Sequence, residues 1–287
     1  MRKLIKNISI IGIIGISFLG CSGIGNLQTP DYNALKSQSK KTNISNLKFN
    51  TNSKYNSIYS QMIRFDIEDH RPTIINNYST GILDIKGKKI TFNTKVPIFD
   101  KHVKLKFNID ECASLKNGTQ QVDILNEDGS IDDLLTSKVN SNEKTIKELK
   151  DMSKIIKDVI FCKNWSSGET KDLVNKMDSM INLNLNNENL FLNPDSFPTT
   201  YEGIVDYNGQ KYYLFTVKNG KVFFSGSDIK DKAGSLMVNM KMLININTKI
   251  TERLNSSMVG NVIFKGYNVN LNITEMYNAN IIKEKIK

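Results

Sequence analysis

Asp66, Glu68, Asp69 and His70 form the densest cluster of metal-capable side chains in the sequence. In a strand, Asp66, Glu68 and His70 would share one face, as a metal site or a general-base pair requires. His102 is the only other histidine, and an exposed acidic turn accounts for the cluster more simply. Asn126-Glu127-Asp128-Gly129-Ser130-Ile131-Asp132 carries the acids and central glycine of a calcium loop. With Gly129 as sixth position, however, Ile124 and Leu135 would fall where oxygen ligands are needed, so an acidic turn before a helix is expected. No G-x-S-x-G elbow, Gly-rich phosphate loop or Cys/His zinc spacing occurs. Ser and Lys are abundant enough for a Ser-Lys hydrolase, but no spacing singles out a pair. The sequence thus assigns no catalytic residue, no metal ligand and no cofactor.

The three cysteines are more informative. Arg2, Lys3 and Lys6 precede an apolar run from Ile8 to Leu19, about a dozen residues and short of the roughly 20 that span a bilayer. A basic start, a short apolar run and a small residue before a cleavage point describe a secretory signal. The order Phe18-Leu19-Gly20-Cys21 resembles the lipobox of bacterial lipoproteins. The resemblance covers about the first 21 residues. It implies that Cys21 is diacylated at sulfur, becomes the mature N-terminus and anchors the chain to a membrane. Two acyl chains hold where a single chain binds only reversibly. Ser22, a residue other than Asp, implies passage to the outer membrane in a two-membrane cell. Cleavage after Gly20 removes three basic residues and no acid, lowering the formal charge from +10 to +7, 36 Lys and Arg against 29 Asp and Glu.

Cys112 and Cys162 then remain. In an exported, oxidising setting they are a candidate disulfide. Closing a loop of about 51 residues would contribute roughly 4 kcal/mol in the chain-entropy account. The alternative is two buried thiols packing as small apolar side chains. Neither has a histidine near it in sequence, as a catalytic thiol would need.

Residues 1–20 read as the signal and 21–52 as a flexible tether rich in Ser, Asn, Lys and Gly. Residues 53–287 read as one folded domain. Asn208-Gly209 and Asn219-Gly220 are two-residue turn signals between β-prone runs. Pairing across them sets Val205 against Tyr212, Ile204 against Tyr213, Val217 against Val222 and Phe215 against Phe224. Both faces of the Tyr201–Gly226 meander are then apolar and both need cover. Val103, Leu105, Phe107 and Ile109 alternate with polar residues, as do Leu236 to Ile246 and Val269 to Ile273. Helical spacing is predicted for Ile146 to Ile160, and a second helix for Ser166 to Ile181 behind a capping box of Ser166 and Glu169. Strands, then helices, then strands predict an α+β fold: an antiparallel sheet with a central helical segment.

One internal similarity stands out. Gly81-Ile-Leu-Asp-Ile-Lys-Gly-Lys-Lys89 aligns with Gly203-Ile-Val-Asp-Tyr-Asn-Gly-Gln-Lys211 at a constant offset of 122 residues. The shared pattern predicts two related hairpins, each pairing its Asp with its last Lys across the strands. It is the signature of a duplicated hairpin unit, although any two hairpins share this grammar.

The functional expectation is a lipid-anchored, exported envelope protein acting as a non-catalytic binding or structural module. The alternative is a carrier of a lipid or other apolar ligand beneath the meander; an envelope hydrolase is third. The partners implied are the membrane through Cys21 and a protein or lipid ligand. The excess lysines are dispersed along the sequence rather than gathered in an arm, and export argues against nucleic acid. A modest basic surface beside anionic headgroups is the plainer reading.

Overall fold

The computed structural model describes residues 32–48, 52–68, 71–96, 101–112, 116, 121–140, 160–173, 181–185, 188–226, 229–264 and 267–282. Five strands open the fold: β1 (Asn52–Ile67), β2 (Thr73–Lys86), β3 (Lys89–Val96), β4 (Lys101–Asn108) and β5 (Gln121–Leu125). β6 (Thr170–Asp172), β7 (Ile181–Leu185), β8 (Glu188–Ser196), β9 (Pro198–Tyr207) and β10 (Gln210–Gly226) follow. β11 (Ile229–Asn245), β12 (Thr251–Phe264) and β13 (Tyr267–Ile281) close it. Among the described residues helix is confined to α1 (Tyr32–Ser37) and α2 (Asp133–Asn140). Every pairing is antiparallel, in the order β5-β4-β3-β2-β1-β13-β12-β11-β10-β8-β7, with β9 on β10 and β6 on β9. The first and last long strands, β1 and β13, meet in the middle.

The α+β expectation is therefore corrected: the described residues form an antiparallel β fold, 69% strand and 6% helix. Ser166 does accept the capping-box geometry locally, its N–H donating to Glu169 Oε2 at 2.8 Å. Gly168, with φ +84°, then turns the chain, and Thr170–Asp172 pairs with β9 instead of winding into a helix. Hydrogen bonds to a strand edge outweigh a local cap here. Residues 146–159 lie outside the described residues.

Alternation decides which face of each long strand is covered. Tyr55, Ser57, Tyr59, Gln61 and Ile63 of β1 are buried, as are Leu271, Glu275, Tyr277 and Ala279 of β13 and Leu236, Val238, Met240, Met242 and Ile244 of β11. This inner face carries the main core. Over the meander it is covered by residues 40–48 and 160–173, which pair with each other through Ile44 and Trp165. Trp165 donates its indole N–H to the Ile160 carbonyl at 3.0 Å and meets the Phe215 ring edge-on at 5.1 Å. The outer face of the meander, with Val205, Tyr212, Leu214 and Leu243, is covered by Leu35 of α1. Both faces are thus filled by the protein's own side chains.

This overturns part of the tether. Residues 32–48 dock on the sheet, with Lys40 paired to Ile204 and Ile44 and Leu47 buried. Three well-placed apolar residues suffice to anchor a segment whose average composition is polar. Residues 21–31 lie outside the described residues.

The first Asn-Gly behaves as expected: Asn208 and Gly209 both have positive φ, and Val205 faces Tyr212. The second does not turn the chain. β10 runs straight through it, and Lys218 and Asn219 together oppose the single Asn239, a β-bulge. Phe215 consequently faces Met242, not Phe224. Asn at φ +54° serves a bulge as readily as a turn.

The two similar hairpins also part company. In the second, Asp206 faces Lys211. In the first, Gly87 and Lys88 form the turn, so Asp84 faces Thr91 and Lys89 faces Lys86. Positive φ falls only on Gly87, the pattern of a type II′ turn, against type I′ for Asn208-Gly209. The expected Asp–Lys pair is absent from the first hairpin because its turn sits one residue later in the shared pattern.

Candidate functional site

The structure joins Cys112, just beyond β4, to Cys162 in the cover over the meander, with 5.2 Å between Cα atoms. Nearby, Lys48 Nζ donates to Glu111 Oε1 at 2.9 Å. These links tie β4 to the segment that packs on β9 and β10. Cys21 lies outside the described residues.

The acidic candidates separate. Arg64 Nε pairs with Asp66 at 3.0 Å, and Glu68 is an exposed turn residue; Asp69 and His70 lie outside the described residues. Asn126–Asp132 is an acidic turn closed by Asp128, which accepts from the Ser130 N–H at 2.9 Å, and Asp132 caps α2 through the Leu135 N–H. Among the described residues no three His, Cys, Asp or Glu side chains converge as a metal site would.

Besides Asp123, which pairs with Lys106 at 2.7 Å, three buried glutamates, none singled out by spacing, are the chemically notable groups. Glu275 sits on the inner face directly between Gln61 of β1 and Ser256 of β12. Its Oε1 accepts from Tyr59 Oη at 3.0 Å and Gln61 Nε2 at 2.8 Å, and its Oε2 from Ser256 Oγ at 2.7 Å. Burial pushes its pKa up, and the three donors oppose the shift. Glu202 and Glu252 occupy register shifts, which re-aim a side chain. Glu202 accepts from Thr216 Oγ1 at 2.8 Å and pairs with Lys36 of α1 at 3.3 Å and Lys218 at 3.5 Å. Glu252 accepts from Asn245 Nδ2 at 3.0 Å and lies 2.8 Å from Tyr212 Oη.

Glu252 also lines a cleft of about 590 Å³ at the end of the meander, with Lys211, Ile246, Thr248 and Ile281 around it. Burial raises the pKa of Glu252, against the pull of Tyr212, Arg253 and Asn245. Burial, then the neighbouring Glu252 charge, raises that of Tyr212. Such a carboxyl can hold a proton or receive a donor from a ligand, but a phenol pushed up is a poor nucleophile or base. A second cleft, about 630 Å³, lies on the outer face over β1–β4 with Lys54, Asp84, Thr91, Lys104 and Lys106 in its wall.

Glu275 was within reach of pattern reading. Extending the Val269, Leu271, Ile273 alternation by one more step lands on it, so a charged residue at an inward position was the available signal. Glu252 and Glu202 gave none, because bulges break the period.

No protein-family profile matches the chain, and no curated protein matches it. Among solved structures it resembles a DUF1329 family protein from Desulfovibrio piger at 7% identity and TM-score 0.24, over 80% of this chain and 85% of that one. It also overlaps a LolA superfamily protein from Nitrosomonas europaea at 5% identity and TM-score 0.17, over 83% of this chain and 90% of that one. A third is Ail, the attachment invasion locus protein of Yersinia pestis, at 5% identity and TM-score 0.18, over 80% and 99%. At these TM-scores the likenesses carry no weight on fold or function.

Proposed function

We propose that this chain is an exported envelope protein, anchored by acyl groups on Cys21, that works as a non-catalytic binding or structural module. The observation that carries the non-catalytic part is the fate of the buried carboxyls. Glu275, Glu202 and Glu252 are each held by hydroxyl, amide or ammonium donors of neighbouring strands. The serine that meets Glu275, Ser256, is itself buried between strands, out of reach of a substrate. The three carboxyls fix strand register rather than activate a substrate. The Cys112–Cys162 bond supports an oxidising compartment, where such bridges persist. The anchor rests on the Leu19-Gly20-Cys21 sequence.

Metabolic labelling with a radioactive fatty acid tests the anchor. Label should enter the chain and be lost in Cys21→Ala; label that survives the substitution overturns it.

A carrier of an apolar ligand is the second reading. The meander no longer offers the ligand a place, since both its faces are filled. The inner face farther along β12 and β13 leaves Met258 and Ile273 partly exposed, and that is the observation favouring a carrier. Titration with a fluorescent fatty acid tests it: saturable binding weakened by Ile273→Glu supports a carrier, and no binding removes it.

A further inference from the structure

Lysines scattered through the sequence meet on the outer face of β1–β4. Lys54 faces Asp84, Asp84 faces Thr91, and Thr91 faces Lys106 in one row across four strands. In the next row Ile82 faces Asn93, which faces Lys104. Lys86 and Lys89 stand directly opposite one another beside the turn. Like charges in that relation destabilise a hairpin, so the pair is costly unless an anion compensates it. The acids described on this face are Asp84, Asp123 and, at the far end of β1, Asp66; Asp123 is engaged by Lys106 at 2.7 Å and Asp66 by Arg64 at 3.0 Å. Ile82, 45% exposed, adds an apolar contact within the cleft these residues line.

The same face carries α1. Leu35 packs on Leu214 and Leu243, which point away from the inner-face residues Phe215 and Met242. Eleven residue steps separate Cys21 from Tyr32, a reach of at most about 38 Å. An acylated Cys21 would thus tether the domain from the side on which α1 packs, within that reach of the bilayer.

We propose that the outer face of β1–β4 docks on anionic phospholipid headgroups, orienting the anchored domain with its inner face away from the membrane. The orientation rests on the anchor, but the lysine surface can be tested without it. The probe is the chain from residue 21 onward carrying Cys21→Ser, which keeps every described contact because these lie within 32–282. It is co-sedimented with vesicles of pure phosphatidylcholine, or of phosphatidylcholine with about 30% phosphatidylglycerol.

Partition onto the anionic vesicles should be at least about tenfold stronger and should vanish near 0.5 M salt, where screening reaches within about 5 Å. Lys86→Glu with Lys104→Glu should reduce it about tenfold or more; the first change turns the Lys86–Lys89 repulsion into an attraction and the second sets a carboxylate opposite Asp123, so a far-UV spectrum matching the parent's confirms that the variant is folded. Lys41→Glu with Lys211→Glu changes the charge equally but lies off this surface, and should leave most of the binding. Equal partition onto both vesicles overturns the proposal, as does binding that persists in high salt or an equal loss in the control pair. Loss of acylation in cells with vesicle binding intact would count against the anchor alone.

Discussion

Glu275 is an ionisable group enclosed by a β-sheet, and its protonation ties stability to pH. Its pKa in the folded chain is raised above the ordinary value of 4.5. Below that value both folded and unfolded chains hold the proton, and the stabilisation is fully present. As pH rises, the unfolded chain releases its proton first, and stability falls until the folded carboxyl ionises too. Glu275→Gln keeps an acceptor for Gln61 and lets Tyr59 and Ser256 reorient. The variant should lose much of the decline in thermal midpoint as pH rises above the ordinary carboxyl value, leaving the share from Glu252, whose pKa is shifted the same way. An unchanged slope would place the titrating group elsewhere. Gly203 is a second decisive residue. Its φ is +123°, and a Cβ there would stand 2.6 Å from the Lys40 carbonyl oxygen. Gly203→Ala should cost roughly 1–3 kcal/mol in urea unfolding and loosen the Lys40–Ile204 pairing, which hydrogen exchange at the Lys40 amide would report.

The sheet depends on its covers as much as on its strands. α1 has only six residues, too few to persist alone in water, and is held by Leu35 on the outer core and by Lys36 on Glu202. Leu35→Ala should cost about 2–3 kcal/mol, measured as a lower urea midpoint at unchanged slope. The disulfide closes a separation of 50 residues. Reduction, or Cys112→Ser with Cys162→Ser, should destabilise by up to about 4 kcal/mol; an unchanged melting temperature would contradict a structural role. Strands were legible where alternation was strict, as in Leu236–Ile244 of β11 and Val103–Phe107 of β4, and so was the Asn208-Gly209 hairpin. What misled was local grammar with two uses. Ser166 and Glu169 make the hydrogen bond of a capping box, yet a neighbouring strand edge claims the following residues. Asn219-Gly220 supplies the positive φ of a turn but is spent on a bulge. Leu35, Ile44 and Leu47 are too sparse to lift the average of a polar segment, though each fills a specific site. Glu202 and Glu252 could not be read, because register shifts move them out of phase.

At the scale of the molecule, one antiparallel sheet separates two environments. Its inner face builds the main core, sealed over the meander by residues 40–48 and 160–173. Its outer face holds α1 at one side and the lysine rows of β1–β4 at the other. The lysines looked dispersed because Lys54 and Lys106 are far apart in sequence; antiparallel pairing across four strands brings them into one row. On the proposed reading the domain presents a surface, its buried glutamates being held by donors of neighbouring strands. That account depends on where the chain is attached. Intact-mass measurement of the protein extracted from membranes with detergent tests it most directly. The account predicts a chain beginning at Cys21 and heavier than its sequence by the mass of the acyl groups. A chain that keeps Met1, or one that carries an unmodified Cys21, would contradict it.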